Sequence, residues 1–308
     1  MGRNLQYQFL NSIDKAFDGG GHDKHTDKHN GKHLDTVYSY AERKGLIELS
    51  SQIARFIKES YPDTKKVLDI KEEMIQNFLN SKSETCNKET LGQYGSRIHK
   101  LEHIVNDVYK GSASWYNDLI IPTSKVSNDK TRNISMSRED YNSILNRAYN
   151  MNSSSKALIA IELAGHFGMR VSETCKFQPR DVSLEAMKLH IHESKGKKNR
   201  DIDIRKRDVN FLERIIEGLP QDARIVDIKE DSVNKYLARA EEALGIRDKY
   251  QEADTGIHCI RKMVAQERYD EFRKQGLSKK DSLNAVSIYL GHGMDRDETM
   301  KQYVLNIH

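Results

Sequence analysis

Apolar residues in the first third of the chain recur every three or four positions, the spacing that places them on one face of an α-helix. One such stripe consists of Ile47, Leu49, Ile53, Phe56 and Ile57, and a second consists of Ile98, Leu101, Ile104 and Val108. The second stripe begins near Lys88. The pattern predicts a group of helices between Val37 and Tyr109, preceded by a short amphipathic start.

The apolar periodicity stops at residues 122–136, PTSKVSNDKTRNISM, and this polar stretch predicts a linker between two domains. Ser137 follows the linker and is typical of a helix N-cap. We therefore expect a helical N-terminal domain over residues 1–121 and a second domain over residues 137–308. Residues 19–33 within the first domain form a segment rich in His and Gly.

The second half is also mostly helical, with one exception. Apolar and polar residues alternate over Leu189–His192 and again over Ile202–Ile204, which predicts two strands joined by a long basic turn. Helices are predicted after this hairpin over Ser232–Leu244, Ile257–Gln275, Ser278–Leu290 and Asp295–Leu305. The predicted class is mainly α with a small β-sheet (α+β).

Composition narrows the function classes only slightly. The 308 residues fit about two domains. Lys and Arg exceed Asp and Glu by 50 − 46 = 4, and residues 1–134 carry half of that excess, 20 − 18 = 2. Neither half has a marked basic excess, so a DNA-binding role would depend on where the charges lie.

Cysteine usage and hydropathy indicate the cellular compartment in which the protein is expected. The three cysteines are far apart and include no Cys-x-x-Cys pair, which excludes a thiolate zinc ribbon and a disulfide framework and suits a reducing environment. The N-terminus lacks the apolar core of a signal peptide. The most apolar stretch, Ala157–Met169, is too short to cross a bilayer. We expect a cytoplasmic protein with no membrane association.

Two short motifs place charged groups at helix ends. Gly168 is expected to end a helix, so Arg170 falls at a turn, and Glu173 is close enough to pair with it or orient it. His258 and Arg261 share one face at the start of a helix, an arrangement that suits an oxyanion. Each motif alone also fits a solvated arginine or a capping histidine.

Three further candidate residues lie in the second half of the chain. Lys195 lies in the predicted hairpin turn, where it and its basic neighbours form a cationic finger able to reach a phosphate. His292 comes directly after a helix that ends at Gly291, and Tyr303 lies eleven residues later. Taken singly, these residues also fit surface charge and packing roles.

The order of these motifs resembles the tyrosine recombinase, or phage-type integrase, family. The resemblance extends from about Ser137 to the end of the chain, and it rests on Gly-Met-Arg-Val-Ser-Glu, Ser-Lys-Gly-Lys-Lys-Asn-Arg, His-x-x-Arg, Leu-Gly-His and a final tyrosine. The residues carried over are Arg170, Glu173, Lys195, His258, Arg261, His292 and Tyr303. The N-terminal half is more weakly similar to the family's SAM-like core-binding domain, through Lys88-x-Thr90-x-x-x-Tyr94-x-x-Arg97.

The resemblance implies a site-specific DNA recombinase, the integrase of a mobile element, that cleaves and rejoins strands through a 3′-phosphotyrosine intermediate. Tyr303 is then the nucleophile, and His258 is the acid and base for its proton. Lys195 protonates the leaving 5′ oxygen, and His292 donates to the phosphate. Two arginines, Arg170 and Arg261, stabilise the charge that develops on the phosphate, with Glu173 as the supporting acid.

The resemblance further implies a catalytic domain that forms a C-shaped clamp on double-stranded DNA together with the core-binding domain. It implies paired core sites, a homotetramer on DNA, a monomer when free, and in some relatives a DNA-bending accessory protein; no metal or other cofactor is required. The residues expected to face DNA are Lys88, Thr90, Gln93, Tyr94, Arg97, Lys100, Lys197, Lys198 and Arg200.

Other interpretations compete with this one. Type IB DNA topoisomerases use the same covalent step, but the family resemblance places a lysine where this chain has His258, which favours a recombinase. A non-catalytic DNA-binding accessory or regulator is a third class, which the complete set of reactive residues disfavours. Tyr289 is a second candidate nucleophile, but it precedes the Gly-His motif, so Tyr303 is preferred although it follows His292 by about two residues more than usual.

The histidine-rich segment allows more than one function. His22, His25, His29 and His33 are spaced so that a helix would align them on one face, as in a metal site. The interspersed Gly, Asp and Lys residues favour a solvated segment instead. An N-terminal arm that helps to reach DNA is a further alternative.

Overall fold

A computed structural model describes residues 4–19, 21, 24–29, 31, 33–126, 134–151, 154–194, 198–251 and 256–308. At residues 24–26, 193–194, 198 and 251 it describes the backbone only. The chain divides into two compact units, residues 1–129 and 130–308, and each has its own apolar core.

The first unit is helical. Its helices are α1 (Leu5–Ala16), α2 (Lys24–His29), α3 (Tyr40–Ser60), α4 (Glu72–Lys82) and α5 (Lys88–Tyr109). Polar caps begin the two longest ones, because the side chain of Ser39 accepts from the N–H of Glu42 and that of Asn87 accepts from the N–H of Thr90. The apolar stripes of α3 and α5 pack in one core that also contains the buried Trp115.

The second unit combines helices with a small sheet. Its helices are α6 (Arg138–Asn150), α7 (Lys156–Phe167), α8 (Val171–Thr174), α9 (Val209–Ile216), α10 (Glu230–Ala243), α11 (Asp248–Gln251), α12 (His258–Lys274), α13 (Lys279–Tyr289) and α14 (Asp297–Met300). As the sequence predicts, Ser137 caps α6 by accepting from the N–H of Asp140. The predicted class, mainly α with a small sheet, is confirmed.

The sheet has three antiparallel strands in the order β1 (Val182–Ser183), β2 (Lys188–Ser194) and β3 (Lys198–Asp203). Leu189 lies opposite Ile202, and Ile191 lies opposite Arg200. These positions share one face of the sheet, and the three apolar ones are buried in the core of the unit. This face of the hairpin therefore packs on the helices.

Helix α7 runs through the core of the second unit and is apolar on almost every side. Helices α10 and α12 pack against it. Helix α6 approaches it closely at Gly165, where an added Cβ would lie 2.1 Å from the hydroxyl oxygen of Tyr141. A small residue at this position is therefore required for the two helices to meet.

The predicted helix over Asp295–Leu305 is too long. Only Asp297–Met300 is helical, and Tyr303 follows in a turn in which its N–H donates to the carbonyl of Met300. Further along, the side-chain amide of Gln266 on α12 bonds both the N–H and the C=O of Asn306, which holds the residues after the turn against α12. Within the part of the chain that is described, no helix is both long and apolar enough to cross a membrane.

Candidate active site

The turn after α7 places the first arginine. Gly168 adopts a left-handed conformation, with φ of 62°, that ends the helix and that glycine adopts without strain. Arg170 follows as the N-cap of α8. Its backbone N–H donates to Glu173 Oε2 at 2.8 Å, and its Nη1 donates to Glu173 Oε1 at 2.7 Å. Glu173 therefore fixes both the backbone and the side chain of Arg170.

The carboxylate of Glu173 is buried among three guanidinium groups. Besides Arg170, Arg200 donates to both carboxylate oxygens at 2.8 and 2.9 Å, and Arg261 Nη1 lies 4.0 Å from Oε2. Burial raises the pKa of Glu173, but the hydrogen bonds and charge of Arg200, followed by the charge of Arg261, outweigh it and hold that pKa well below its ordinary value. The four groups together carry an excess of two positive charges, which favours an anion.

Arg261 lies in the first turn of α12 and is only 1% exposed. Its two Nη atoms donate to the carbonyl oxygens of Gly168 and Leu290, and its buried Nε has no hydrogen-bond partner among the described residues. Burial, followed by the charge of Arg170, lowers the pKa of Arg261 to about 10, so the guanidinium remains charged at neutral pH. Arg261 thus joins the ends of α7 and α13.

The turn after α13 places the second histidine. Gly291 has φ of 75°, which lets the chain reverse directly after the helix, and the N–H of His292 donates to the carbonyl of Ser287. His292 Nε2 lies 3.3 Å from Arg170 Nη2. The first arginine and the Gly-His motif are therefore adjacent, although they are more than a hundred residues apart in sequence.

Tyr303 completes the cluster. Its ring centre lies 5.1 Å from the ring centres of both His258 and His292, and Arg261 Cζ lies 5.7 Å from it. The side chain is 7% exposed and packs with Leu290 as part of a small apolar cluster between α12 and α13. The structure thus brings together five of the six residues predicted to be catalytic.

The alternative nucleophile, Tyr289, occupies a different environment. Its hydroxyl accepts from Arg268 Nη2 at 3.4 Å, and Arg268 Cζ lies 4.6 Å from the ring centre. Burial raises the pKa of Tyr289. Within the described residues its ring contacts neither His258 nor His292. The geometry therefore favours Tyr303 over Tyr289.

Most of the basic hairpin turn lies outside the described residues. Lys195 and Lys197 lie outside the described residues, and Lys198 is described only as the backbone of the first residue of β3. Their predicted roles remain predictions.

Arg200 requires a correction. It is predicted to face DNA as part of the cationic finger, but its side chain is 8% exposed, binds Glu173 through both Nη atoms, and donates from Nε to the carbonyl of Tyr289 at 3.1 Å. The alternation of β3 could have revealed this, because Arg200 has the same parity as the buried Ile202 and Ile204. Arg200 belongs to the site rather than to the surface.

Lys100 requires a second correction. It is predicted to face DNA, but it is buried in the first unit, where its Nζ lies 2.9 Å from Glu42 Oε1 and donates to the carbonyl of His33 at 3.1 Å. Its ammonium also lies 5.0 Å from the ring centre of Tyr38. Lys100 therefore holds the segment before α3 against α5, and we withdraw it as a DNA contact.

The remaining candidates on α5 are exposed or half-buried. Lys88 and Gln93 are exposed, while Thr90, Tyr94 and Arg97 are half-buried. The ring of Tyr94 stacks on Phe78, and its hydroxyl lies 3.5 Å from the side-chain oxygen of Gln52. The guanidinium of Arg97 lies against the backbone of α3, because a Cβ added at Gly45 would be 2.8 Å from Arg97 Cζ.

The histidine-rich segment is only partly described. His22 and the side chain of His25 lie outside the description, His29 ends α2, and His33 follows in a turn. The helix therefore does not extend over all four histidines. Across the described residues, no group of three or more His, Cys, Asp or Glu side chains is arranged to hold a metal ion.

Comparison with known proteins assigns the class. Residues 135–303, more than half of the chain, match the model of the phage integrase family. The chain therefore belongs to this family, the tyrosine recombinases, and is a DNA strand-exchange enzyme. None of the curated proteins matches the sequence significantly.

Solved structures of this class share the fold. The XerH site-specific recombinase in a pre-cleavage complex with difH has a TM-score of 0.62 at 15% identity, over 97% of this chain and 90% of that one. A lambda integrase dimer bound to a COC′ core site gives 0.58 at 17% identity, over 95% and 76%. The Tn1549 transposon integrase with transposon right-end DNA gives 0.58 at 13% identity, over 97% and 95%. At these identities the likeness establishes the fold.

Proposed function

We propose that the protein is the integrase of a mobile element and that it cleaves and rejoins DNA through a 3′-phosphotyrosine formed on Tyr303. The observation that carries this proposal is the convergence at one point of a tyrosine ring, two histidine rings and two arginines, Arg170 and Arg261. Packing alone does not require three rings and two guanidinium groups to meet at a single point.

The chemistry follows from the groups present. A phenol is a weak nucleophile until its proton is removed, and His258, beside the Tyr303 ring, is the base that takes it. The phenolic oxygen bonds to phosphorus while the bond from phosphorus to O5′ breaks. The products are a 3′-phosphotyrosine and a 5′-hydroxyl, whose proton comes from Lys195. Reversal by a 5′-hydroxyl of another strand gives recombination, and no ATP is consumed because the number of phosphoester bonds is unchanged.

The charge that develops on the phosphate is stabilised by the arginines. Arg170 Nη2 lies 3.3 Å from His292 Nε2, and since a guanidinium only donates, the ring nitrogen accepts in this contact. We propose that a bound phosphate replaces this contact and that Arg170 and a protonated His292 Nε2 then each donate to a non-bridging oxygen. Arg261 Cζ lies 5.7 Å from the centre of the Tyr303 ring, and the residue is almost fully buried. Both of its Nη atoms donate to backbone carbonyls, so a direct contact with the phosphate requires one of these hydrogen bonds to be exchanged.

The proposed substrate is double-stranded DNA with paired core sites. Other members of the fold are described as a lambda integrase dimer on a core site, a lambda integrase tetramer on a Holliday junction, and an integrase with transposon-end DNA. We extend this to a homotetramer of the present chain on DNA and a monomer in its absence. In the first unit, the candidates for phosphate contacts that the fold leaves exposed or half-buried are Lys88, Thr90, Gln93, Tyr94 and Arg97.

Covalent trapping tests the proposal. Nicked duplexes tiled from the DNA that flanks the protein's own gene are mixed with the wild type, with Tyr303→Phe and with Tyr289→Phe, and are separated on a denaturing gel without metal or ATP. We expect an adduct with the wild type and with Tyr289→Phe, and none with Tyr303→Phe. An adduct that survives in Tyr303→Phe would refute the assignment of the nucleophile, and tight binding without any adduct would favour the regulator.

A second assay separates the recombinase from the topoisomerase. A supercoiled plasmid without the trapped site and one with two copies of it are incubated with the wild type. We expect recombinant products from the second plasmid and no relaxation of the first. Relaxation of both plasmids at equal rates would favour a type IB topoisomerase.

A further inference from the structure

Arg200 connects parts of the second unit that are distant in sequence. It lies on β3, and its guanidinium reaches the Glu173 carboxylate through Nη1 and Nη2 and the Tyr289 carbonyl through Nε. Gly291 leaves room for the side chain, since a Cβ there would lie 3.0 Å from both Cδ and Nη1 of Arg200. One buried guanidinium therefore contacts β3, α8 and the end of α13.

Each of these contacts leads to a residue of the proposed active site. Glu173 in turn holds the backbone and guanidinium of Arg170. The Tyr289 carbonyl stands at the end of α13, three residues before His292. Arg170 and His292 are the pair that lie 3.3 Å apart. Arg200 thus supports both members of this pair at once, from a strand that contributes neither of them.

We infer that Arg200 is a positioning residue that sets the separation of Arg170 and His292, and so the geometry of phosphate binding. This inference rests on the proposed function. The forked guanidinium matters because it donates to two carboxylate oxygens and a carbonyl in fixed directions, which a lysine ammonium does not reproduce. Arg200 touches no reacting atom and is not itself a catalytic residue.

A purely structural role is the alternative, and the chain offers a matched control for it. Arg205 lies five residues further on and makes the same kind of fork: Nε donates to the buried Asp208 at 2.8 Å, and Nη2 donates to the carbonyl of His166 at 2.8 Å. Neither partner belongs to the proposed site. Arg205→Ala therefore removes a comparable ion pair, together with the 3.6 Å contact between Arg205 and Glu271, and leaves Glu173 and the end of α13 untouched.

Hydrogen exchange tests positioning without requiring activity. In the full-length protein without DNA, we expect Arg200→Ala to speed exchange at the amides of Arg170, Gly291 and His292 several-fold. Arg205→Ala should leave these three amides unchanged. Unchanged exchange at all three amides in Arg200→Ala would overturn the inference, whatever the enzyme does.

The rate of adduct formation tests whether positioning by Arg200 affects the reaction. With the nicked duplex trapped above, a displacement of about 1 Å at the phosphate site should slow adduct formation by roughly 100-fold in Arg200→Ala. Duplex affinity should stay close to that of the wild type, Arg200→Lys should recover only part of the rate, and Arg205→Ala should react normally. If Arg200 acts through Glu173, then Arg200→Ala added to Glu173→Gln should slow the reaction little further.

The outcomes separate the two claims. Faster exchange together with a slowed rate at unchanged affinity supports the inference. Faster exchange with a wild-type rate overturns it, since the geometry would then not matter for reaction. If the wild type forms no adduct on any tiled duplex, the proposed function fails, and the exchange at Arg170 and His292 alone decides whether Arg200 positions them.

Discussion

Replacing Glu173 by Gln removes the only carboxylate within hydrogen-bonding distance of Arg170 and Arg200 at the proposed site, as far as the described residues extend. The substitution keeps the shape of the side chain and deletes its charge. Arg200 then loses its bidentate ion pair with Glu173, and Arg261 loses the carboxylate that lies 4.0 Å from its Nη1. Removing one partner of a buried ion pair costs about 3–5 kcal/mol. Domains are stable by only about 5–15 kcal/mol, so the second unit should become marginal.

Two optical probes separate the units in the assay. Trp115 is the only tryptophan of the chain and is buried in the first unit, so its fluorescence follows that unit alone. Circular dichroism follows the helices of both units. A unit of this size loses about 2–4 °C of Tm per kcal/mol, so the circular dichroism transition of the second unit should fall by about 6–20 °C. The Trp115 transition should not move.

The contribution of Glu173 to the free energy of unfolding depends on pH in a direction that its pKa determines. The folded pKa of Glu173 lies below the ordinary value of 4.5, so its ionised form stabilises the fold above that pH. This contribution is lost as the pH falls below 4.5 toward the folded pKa. The difference in unfolding free energy between wild type and Glu173→Gln should therefore be constant near neutrality and shrink in acid.

Glu267 provides the control for this prediction. It also binds an arginine with both oxygens, at 2.6 and 2.7 Å from Arg138, but that pair is partly exposed to solvent. Glu267→Gln should cost no more than about 1 kcal/mol. If Glu173→Gln costs as little as Glu267→Gln, the carboxylate does not organise the site as we describe.

Three other substitutions test the packing and the corrections. Lys100→Met should destabilise the first unit by about 1–3 kcal/mol, read from tryptophan fluorescence, because it removes the buried contacts of Lys100 with Glu42 and the His33 carbonyl, and it should not change duplex affinity. Arg97→Met should instead weaken duplex binding and reduce the salt slope by about one, and unchanged binding across a salt series would exclude this contact. Gly165→Ala should cost about 1–3 kcal/mol in urea unfolding, because its Cβ would meet the Tyr141 hydroxyl, and an unchanged midpoint would contradict the close packing of α6 and α7.

The sequence predicts most of the helices and the hairpin because both depend on local pattern. The stripe beginning near Lys88 becomes α5, and the alternation around Leu189 and Ile202 becomes β2 and β3. The motifs also identify the residues that meet around Tyr303, since family resemblance carries long-range information that periodicity lacks.

What local pattern cannot supply is the identity of the partners. Lys and Arg residues usually lie on the surface, and the sequence around Lys100 and Arg200 does not identify a carboxylate partner. Only the tertiary fold brings Glu42 to Lys100 and Glu173 to Arg200. The extended path after α14 similarly depends on a distant partner, because Gln266 bonds the backbone of Asn306. The alternation of β3 indicates that Arg200 faces inward, but only the tertiary fold identifies the carboxylate that it binds.

The most direct test of the account is to identify the amino acid that carries the DNA. The trapped adduct is digested with trypsin and a nuclease, and the peptide that retains a nucleotide is sequenced by tandem mass spectrometry. We expect a 3′-phosphonucleotide on Tyr303, in the tryptic peptide that begins at Gln302, directly after Lys301. A nucleotide on Tyr289, on any other residue, or joined through a 5′-phosphate would contradict it.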